Sequence, residues 1–282
     1  MKPFVRALLR AFLLLPGARS AAADAPAGRP PGMAVASAHA LATEAGIEVM
    51  QRGGNAFDAA VAVSSVLSVV EPISSGLGGG GFFLLHQAQS GRDVFVDARE
   101  TAPAAATPAA YLDQDGNLDR DRAENGAWAA GIPGLPAALV HLATRYGQLP
   151  LAESLAPAIR VAREGFPVYA RFARGYAQRS AVMERYPGTR QVFLRNGKPP
   201  AEGDLFRQPE LARTLELLAR GGFDGFYRGQ TARLLLAGVR AAGGQWTAAE
   251  LAGYSVKERE PLRFGYDGWE IVTAPPPSSG GI

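Results

Sequence analysis

EPISSGLGGGGFFLL, which runs from Glu71 to Leu85, is the stretch that decides how the chain is organised. A helical pattern ends at Pro72, the glycine-rich loop Gly76 to Gly81 follows, and Phe82 to His86 has the pattern of a strand. The loop matches the spacing of a dinucleotide-binding fingerprint, but that fingerprint requires a strand before the glycines and a helix after them. Because the order here is reversed, we reject cofactor binding and expect a loop whose backbone approaches a neighbouring segment closely.

The residues before this loop predict two helices. The first follows a candidate strand, Met33 to Ser37, and ends at Gly53-Gly54. Asn55 is placed to cap the second helix, with Asp58 at its third position, where a carboxylate can accept a backbone N–H. The second helix is apolar on nearly every side, which predicts that it is deeply buried.

The residues after the loop predict a mixture of strands, helices and turns. Residues 103 to 126 have the composition of a loop. The predicted elements are a strand at Val94 to Ala98, helices between Pro133 and Gly147, at Leu151 to Glu164, around Val168 to Arg185, at Pro209 to Arg220 and at Thr231 to Ala242, a capping box at Thr247 to Glu250, and a hairpin of Leu262 to Tyr266 with Trp269 to Thr273.

Composition excludes several classes of function. The 282 residues carry a net charge of +3 and the arginines are interleaved with acidic residues, so no basic stripe indicates nucleic-acid binding. The chain has no cysteine, which excludes disulfides, thiolate catalysis and cysteine metal sites. His39, His86 and His141 are isolated and lack any metal-ligand spacing, so each is expected to be a core or surface histidine and not a metal ligand.

The N-terminus has the pattern of an export signal. Lys2 and Arg6 precede a short apolar stretch, and small residues before Asp24 suit cleavage, so residues 1 to 23 are predicted to be a signal peptide. Residues 24 to 31 are predicted to form a flexible leader. The apolar stretch is too short to span a bilayer, and we expect a periplasmic or secreted bacterial protein with no membrane span once the signal is removed.

Arg99 is the most informative charged residue. It lies in DVFVDARETAP, where an apolar strand gives way to a loop. A guanidinium in such a place can bind a substrate carboxylate through two parallel hydrogen bonds. A structural salt bridge to Asp97 or Glu100 is the other interpretation, and composition alone favours the salt bridge. No GxSxG motif supports a serine hydrolase.

Five segments together give the chain a family resemblance. They are GMAVASAHALATEAGIEVMQRGGNAFDAAVA (Gly32 to Ala62), EPISSGLGGGGFFLL (Glu71 to Leu85), DARETAP (Asp97 to Pro103), GIPGLPA (Gly131 to Ala137) and PPPSSGGI (Pro275 to Ile282). In this order they resemble the large-subunit region of the γ-glutamyltransferases, or glutathione hydrolases, which are N-terminal-nucleophile hydrolases. The resemblance assigns residues 32 to 282 to that region and implies an α+β fold, an αββα sandwich of which this chain supplies only the large-subunit part.

The same resemblance implies an activity and a partner. Such precursors cut themselves, and the small subunit then begins with a threonine that attacks a γ-glutamyl amide, with its own amine as the base. The γ-glutamyl group passes from glutathione to water, an amino acid or a peptide, and the resemblance implies no metal and no organic cofactor. The nucleophilic threonine is expected beyond Ile282, since Thr273 lies in the preceding hairpin. We therefore expect the small subunit of the same precursor to be a partner, and the 282-residue chain alone to be inactive.

The resemblance also implies which residues bind the substrate. Arg99 matches the motif arginine that holds the donor's α-carboxylate, and Glu100 matches the next motif position and is expected to support the site. The glycine-rich loop is expected to pack close by. Two alternatives remain open: a cephalosporin-acylase-like amidase of the same family, against which Arg99 argues, and an inactive pseudoenzyme or scaffold.

Overall fold

The structure is a computed structural model that describes residues 32–280, and the predicted signal peptide and leader lie outside these residues. The main compact unit begins at Val35. Its longer helices are α1 (Ala40–Gln51), α2 (Ala56–Val70), α5 (Leu135–Arg145), α6 (Leu151–Glu164), α7 (Ala170–Glu184), α9 (Pro209–Tyr227) and α10 (Gln230–Ala241), and its shorter ones are α3 (Pro72–Ser75), α4 (Arg120–Glu124), α8 (Pro187–Phe193) and α11 (Ala248–Ala252). The strands are β1 (Gly81–Gln87), β2 (Arg92–Ala98), β3 (Phe166–Pro167), β4 (Leu205–Phe206), β5 (Lys257–Arg259), β6 (Leu262–Tyr266) and β7 (Trp269–Thr273). None of the helices within the described residues combines the length and apolarity that crossing a bilayer requires.

Helix α2 is the central element of a layer of packed helices. It packs against α1, α5 and α6, and α9 packs against α6, α5 and α10. The predicted deep burial of α2 is confirmed. Fully buried side chains between these helices include Val49, Val61, Val66, Val69, Leu139, Leu142, Leu155, Leu215 and Leu218.

The predicted capping box fixes the start of α2. The side-chain oxygen of Asn55 accepts hydrogen bonds from the backbone N–H groups of Phe57, at 2.8 Å, and Asp58, at 3.1 Å. The fully buried Asp58 carboxylate accepts in return from the Asn55 N–H, at 2.9 Å. It also accepts from the N–H groups of Gln148, at 2.9 Å, and Leu149, at 3.3 Å, so one carboxylate ties α2 to the segment after α5.

A three-stranded antiparallel sheet, in the order β1-β2-β5, carries the next part of the chain. Gly81 pairs with Ala98, and the turn at Ser90-Gly91 joins the two long strands as expected, with Gly91 at φ +65°. Strand β2 packs against α5, which joins the sheet to the helices. The class predicted from the resemblance, α+β, is confirmed by these separate helical and antiparallel regions.

The hairpin β6–β7 is a separate two-stranded sheet with the predicted bounds. Asp267 and Gly268 have φ angles of +48° and +79°, as a two-residue hairpin turn requires. Tyr266 and Trp269, on either side of that turn, are 71% and 72% exposed.

Three predictions at the level of elements are wrong. Residues 103 to 126 are not loop throughout, because they include the short helix α4 (Arg120–Glu124). Met33 to Ser37 form no strand, because these residues find no partner strand among residues 32–280. Helix α9 continues beyond Arg220 to Tyr227, across a kink at Gly222, which has φ +54° and ψ −136°. Glycine alone reaches such a conformation readily, so the sequence pattern there resembles a helix end.

Candidate active site

Arg99 directly follows β2, at the point where the chain leaves the sheet. Its backbone N–H donates to the Asp97 carboxylate at 3.1 Å. That carboxylate is almost buried and forms an ion pair with Arg259 of β5 at 2.9 Å. The cationic partner of Asp97 is therefore Arg259. The salt bridge of Arg99 to Asp97 or Glu100 that composition favoured is not among the ion pairs of residues 32–280.

Tyr254 holds the other side of the Arg99 backbone. It lies between α11 and β5, and its hydroxyl donates to the Arg99 carbonyl oxygen at 2.9 Å. Burial, together with the nearby carboxylates of Asp97 and Glu100, raises the pKa of Tyr254 above its usual value. A tyrosine hydroxyl keeps its proton at neutral pH, so Tyr254 acts as a hydrogen-bond donor.

The glycine-rich loop packs against this same turn. A Cβ atom on Gly80 would lie 2.5 Å from the Ala98 carbonyl oxygen and 2.9 Å from a carboxylate oxygen of Glu100. A Cβ on Gly79 would lie 3.3 Å from the other carboxylate oxygen of Glu100. The loop thus comes as close to the turn as glycine permits, which is the role that its composition indicated.

The GIPG segment closes the turn from the opposite side. Thr101 and Ile132 exchange backbone hydrogen bonds of 3.2 and 2.8 Å, and the Gly134 N–H donates to the Gly79 carbonyl at 2.9 Å. A Cβ on Gly134 would lie 2.0 Å from the Ala98 carbonyl oxygen. We call residues 97–101, with Gly79–Gly80, Gly131–Gly134 and Tyr254, the Arg99 corner.

Arg99 and Glu100 present exposed side chains at this corner. None of the ion pairs among residues 32–280 involves the Arg99 guanidinium, which lies 5.9 Å from the centre of the Phe82 ring. A guanidinium in this state has its forked N–H donors available for a carboxylate. The arrangement of the corner therefore suits the binding of an anionic group.

The three histidines make structural contacts outside the Arg99 corner. His39 caps α1 by accepting from the Leu41 N–H at 3.2 Å, and burial lowers its pKa. His86 pairs with Asp93, and His141 contacts Glu258. Within the described residues, no group of three or more His, Asp or Glu side chains is placed to hold a metal ion.

A cavity lies away from the Arg99 corner. It has a volume of about 260 Å³ and lies between α3 and α7, with Glu71, Tyr169, Arg171 and Arg174 among its lining residues. None of its lining residues belongs to the Arg99 corner. The Arg99 and Glu100 side chains are exposed, whereas Asp97 and Tyr254 of the same corner are buried.

Sequence patterns indicated some members of the corner and missed others. Arg99, Glu100 and the glycine-rich loop lie together as the resemblance implied. The contact of Tyr254 with Arg99 was not predicted, because nothing in the sequence around a single tyrosine after a short helix indicates such a contact. Gly134 lies in a recognised motif, but only its contact with Ala98 shows why a glycine is needed there.

The chain is similar to known proteins over most of its length. The sequence profile described as Gamma-glutamyltranspeptidase matches residues 42–282. The chain is 39% identical to a glutathione hydrolase proenzyme of Bacillus subtilis, over 88% of this chain and 42% of that protein. It is 38% identical to the acylase ACY 1 proenzyme of a Pseudomonas strain, over 91% of this chain and 47% of that protein. It thus spans less than half the length of these curated relatives.

A solved structure extends the similarity to the fold. The crystal structure of the Helicobacter pylori γ-glutamyltranspeptidase matches with a TM-score of 0.85 and 39% identity, over 89% of this chain and 71% of that one. The predicted fold class, that of the N-terminal-nucleophile hydrolases, is confirmed by this likeness. The five motif segments, the three-dimensional match and the profile agree, and the chain belongs to the γ-glutamyltranspeptidase family.

Proposed function

We propose that this chain is the large-subunit portion of a γ-glutamyltransferase, or glutathione hydrolase, precursor. The enzyme transfers the γ-glutamyl group of glutathione to water, an amino acid or a peptide. Arg99 binds the α-carboxylate of the glutamyl group through its guanidinium. The observation that carries this proposal is an exposed guanidinium without an ion-pair partner among the described residues, on a backbone turn held from both sides.

The reaction divides between the two parts of the precursor. The small subunit supplies an N-terminal threonine whose hydroxyl attacks the γ-glutamyl amide while its own amine accepts the proton. The amide C–N bond breaks, the amine leaves with a proton, and an ester forms that water or an acceptor amine then cleaves. Arg99 fixes the donor for this attack, and Glu100 supports the site by packing over Gly79 and Gly80.

The surface of the chain supports a partner from the same precursor. Strand β1 is hydrogen-bonded on one side only within residues 32–280. The hairpin β6–β7 exposes Phe264, Tyr266 and Trp269, and exposed aromatic groups on a strand pair favour association. We propose that the small subunit covers these groups, and that residues 1 to 23 direct the precursor to the periplasm or the exterior.

The test uses the full-length precursor and the variant Arg99→Ala. We expect the donor KM to rise about 10- to 100-fold, since a charged hydrogen-bond pair is lost, while self-cleavage continues. Arg92→Ala is the matched control, because Arg92 is exposed at the other end of the same strand. A donor KM that is unchanged in Arg99→Ala would remove the carboxylate-binding role.

An amidase of the cephalosporin-acylase type is the second candidate, and the 38% identity to an acylase proenzyme favours it. The two candidates differ in whether the donor needs a carboxylate next to its amine. Glutathione should therefore be compared with a 4-aminobutyryl amide, which lacks that carboxylate. Equal kcat/KM for both donors would favour the amidase, and no turnover of either would favour a pseudoenzyme.

A further inference from the structure

The Arg99 backbone is held by Asp97, two residues earlier, and by Tyr254, from a distant part of the chain. The Asp97 carboxylate, which is anchored by Arg259, accepts the Arg99 N–H. The Tyr254 hydroxyl donates to the Arg99 carbonyl from the segment before β5. These two hydrogen bonds fix the peptide units on both sides of the Arg99 Cα atom, and so the direction in which its side chain starts.

Tyr254 is itself held in a slot. Its ring lies parallel to that of Tyr227, with 5.7 Å between ring centres and 7° between planes. Its hydroxyl lies where a Cβ on Gly134 would come within 2.3 Å. Tyr227 is anchored in turn by donating to the Pro133 carbonyl at 2.7 Å. The hydroxyl of Tyr254 therefore has little freedom to move away from the Arg99 carbonyl.

We propose that Tyr254 is a positioning residue for donor binding, and that it acts through the main chain of Arg99. The proposal rests on the proposed role of Arg99 in holding the α-carboxylate. A guanidinium that binds a carboxylate through two bonds needs a defined direction of approach, and small displacements of a binding group weaken the bound state. Loss of the Tyr254 hydroxyl would leave the Arg99 carbonyl without this donor and let the turn shift.

The variant Tyr254→Phe tests the proposal in the full-length precursor. It removes the hydroxyl and keeps the ring that stacks on Tyr227. We expect the glutathione KM to rise about 3- to 10-fold, as the loss of one hydrogen bond allows, with kcat within about twofold of the parent. Tyr111→Phe is the matched control, because the Tyr111 hydroxyl also donates to a backbone carbonyl, that of Trp128, at 3.0 Å.

Two further measurements separate positioning from general stability. The KM for a 4-aminobutyryl amide, which offers Arg99 no carboxylate, should be the same in Tyr254→Phe and in the parent. In the background of Arg99→Ala, Tyr254→Phe should add nothing to the KM for glutathione, because the two residues act on one contact. Melting temperatures of all variants report any loss of folding.

The outcomes distinguish this proposal from the proposed function. If Arg99→Ala raises the glutathione KM but Tyr254→Phe behaves like Tyr111→Phe, the positioning role is wrong and the role of Arg99 stands. If Arg99→Ala has no effect, both are wrong. A rise in KM for both donors, or an additive effect in the double variant, would assign Tyr254 a structural role and overturn the proposal.

Discussion

The carbonyl oxygen of Ala98 lies so close to Gly80 and Gly134 that neither position has room for a side chain. A Cβ on Gly80 would come within 2.5 Å of it, and a Cβ on Gly134 within 2.0 Å. Neither glycine has a positive φ, so their need is for space and not for an unusual backbone conformation. The Arg99 turn can take its position only because Gly80 and Gly134 have no side chains.

Gly134→Ala tests this crowding. The added methyl group must displace the backbone at Ala98 and the Tyr254 hydroxyl, so we expect the free energy of unfolding to fall by about 2–4 kcal/mol in urea titrations. Gly238→Ala is the control, since nothing lies within 4 Å of the added atom on α10, and it should stabilise by about 0.5–1 kcal/mol. Equal effects of the two substitutions would contradict the crowding.

The role of a residue could be predicted from sequence when the residue lies in a recognisable motif. It could not be predicted when the role depends on a contact with a residue far away in the chain. Arg99 and Glu100 lie in DARETAP, a segment that resembles a family motif, so the sequence was enough to name them as candidate substrate-binding residues. Tyr254 is 155 residues from Arg99, and no periodicity or spacing connects two positions so far apart. The contact between Tyr254 and Arg99 is formed only when the chain folds.

Strand β5 connects the Arg99 corner to the helices through two neighbouring side chains. Arg259 pairs with Asp97, while Glu258 accepts from Tyr146 and, at 2.9 Å, pairs with His141 of α5. Partial burial alone would raise the pKa of Glu258, but the hydrogen bonds from Tyr146 and His141, with the charge of Arg145, outweigh it. The pKa of Glu258 is therefore lowered from its usual 4.5.

This lowered pKa predicts a pH dependence of stability. A carboxylate with a lower pKa in the folded state stabilises fully above the pKa of the unfolded chain, and the effect is lost as pH falls through the folded pKa. Glu258→Gln should thus lower the free energy of unfolding by about 1 kcal/mol near neutral pH. The difference from the parent should shrink as pH falls below 4.5.

Urea titrations from about pH 7 down to about pH 3 measure this difference. Glu270→Gln is the control, since Glu270 is exposed on β7 and pairs with Arg263 at 3.4 Å, where an ion pair contributes little. A difference between Glu258→Gln and the parent that stays constant over the whole range would show that the ionised carboxylate does not stabilise the fold.

The long elements followed from sequence because their signals are local. The bounds of α6 and of both hairpin strands agree with the prediction, since a glycine ends α6 and Asp267-Gly268 makes the turn. Strand β5 was missed because Lys257–Arg259 is short and charged, and becomes a strand only by pairing with β2. The strand predicted at Met33 to Ser37 is not formed, because these residues have no partner strand within residues 32–280.

At the scale of the whole molecule, the exposed aromatic face of β6–β7 predicts a change on assembly. In the full-length precursor, Trp269→Ser should lower the free energy of unfolding by about 2 kcal/mol, because the small subunit is proposed to cover the indole. Leu234→Ser, on α10, is the control: Leu234 is 65% exposed and Trp269 is 72% exposed. We expect Leu234→Ser to change stability by no more than about 0.5 kcal/mol. Equal, small effects in both variants would contradict the proposed interface.

The layered architecture could be predicted only through the family resemblance. Helical and strand periodicity located the elements, but nothing in it placed α5 against β2 or α2 at the centre of the helices. Those neighbours depend on how apolar faces match in three dimensions. The sandwich fold was therefore predicted from the resemblance to the family, while the helices and strands were predicted from the hydrophobic periodicity and the turn residues of the sequence.

The contact between Tyr254 and Arg99 has a consequence for biosynthesis. A ribosome releases the chain from its N-terminus, so β1, β2 and the glycine-rich loop emerge long before Tyr254 does. During that interval the Arg99 carbonyl lacks the hydrogen bond from the Tyr254 hydroxyl, and the turn is not complete until 155 further residues have been translated. If Arg99 binds the donor as proposed, the turn that carries it is completed only after Tyr254 has been made, 155 residues after the arginine itself.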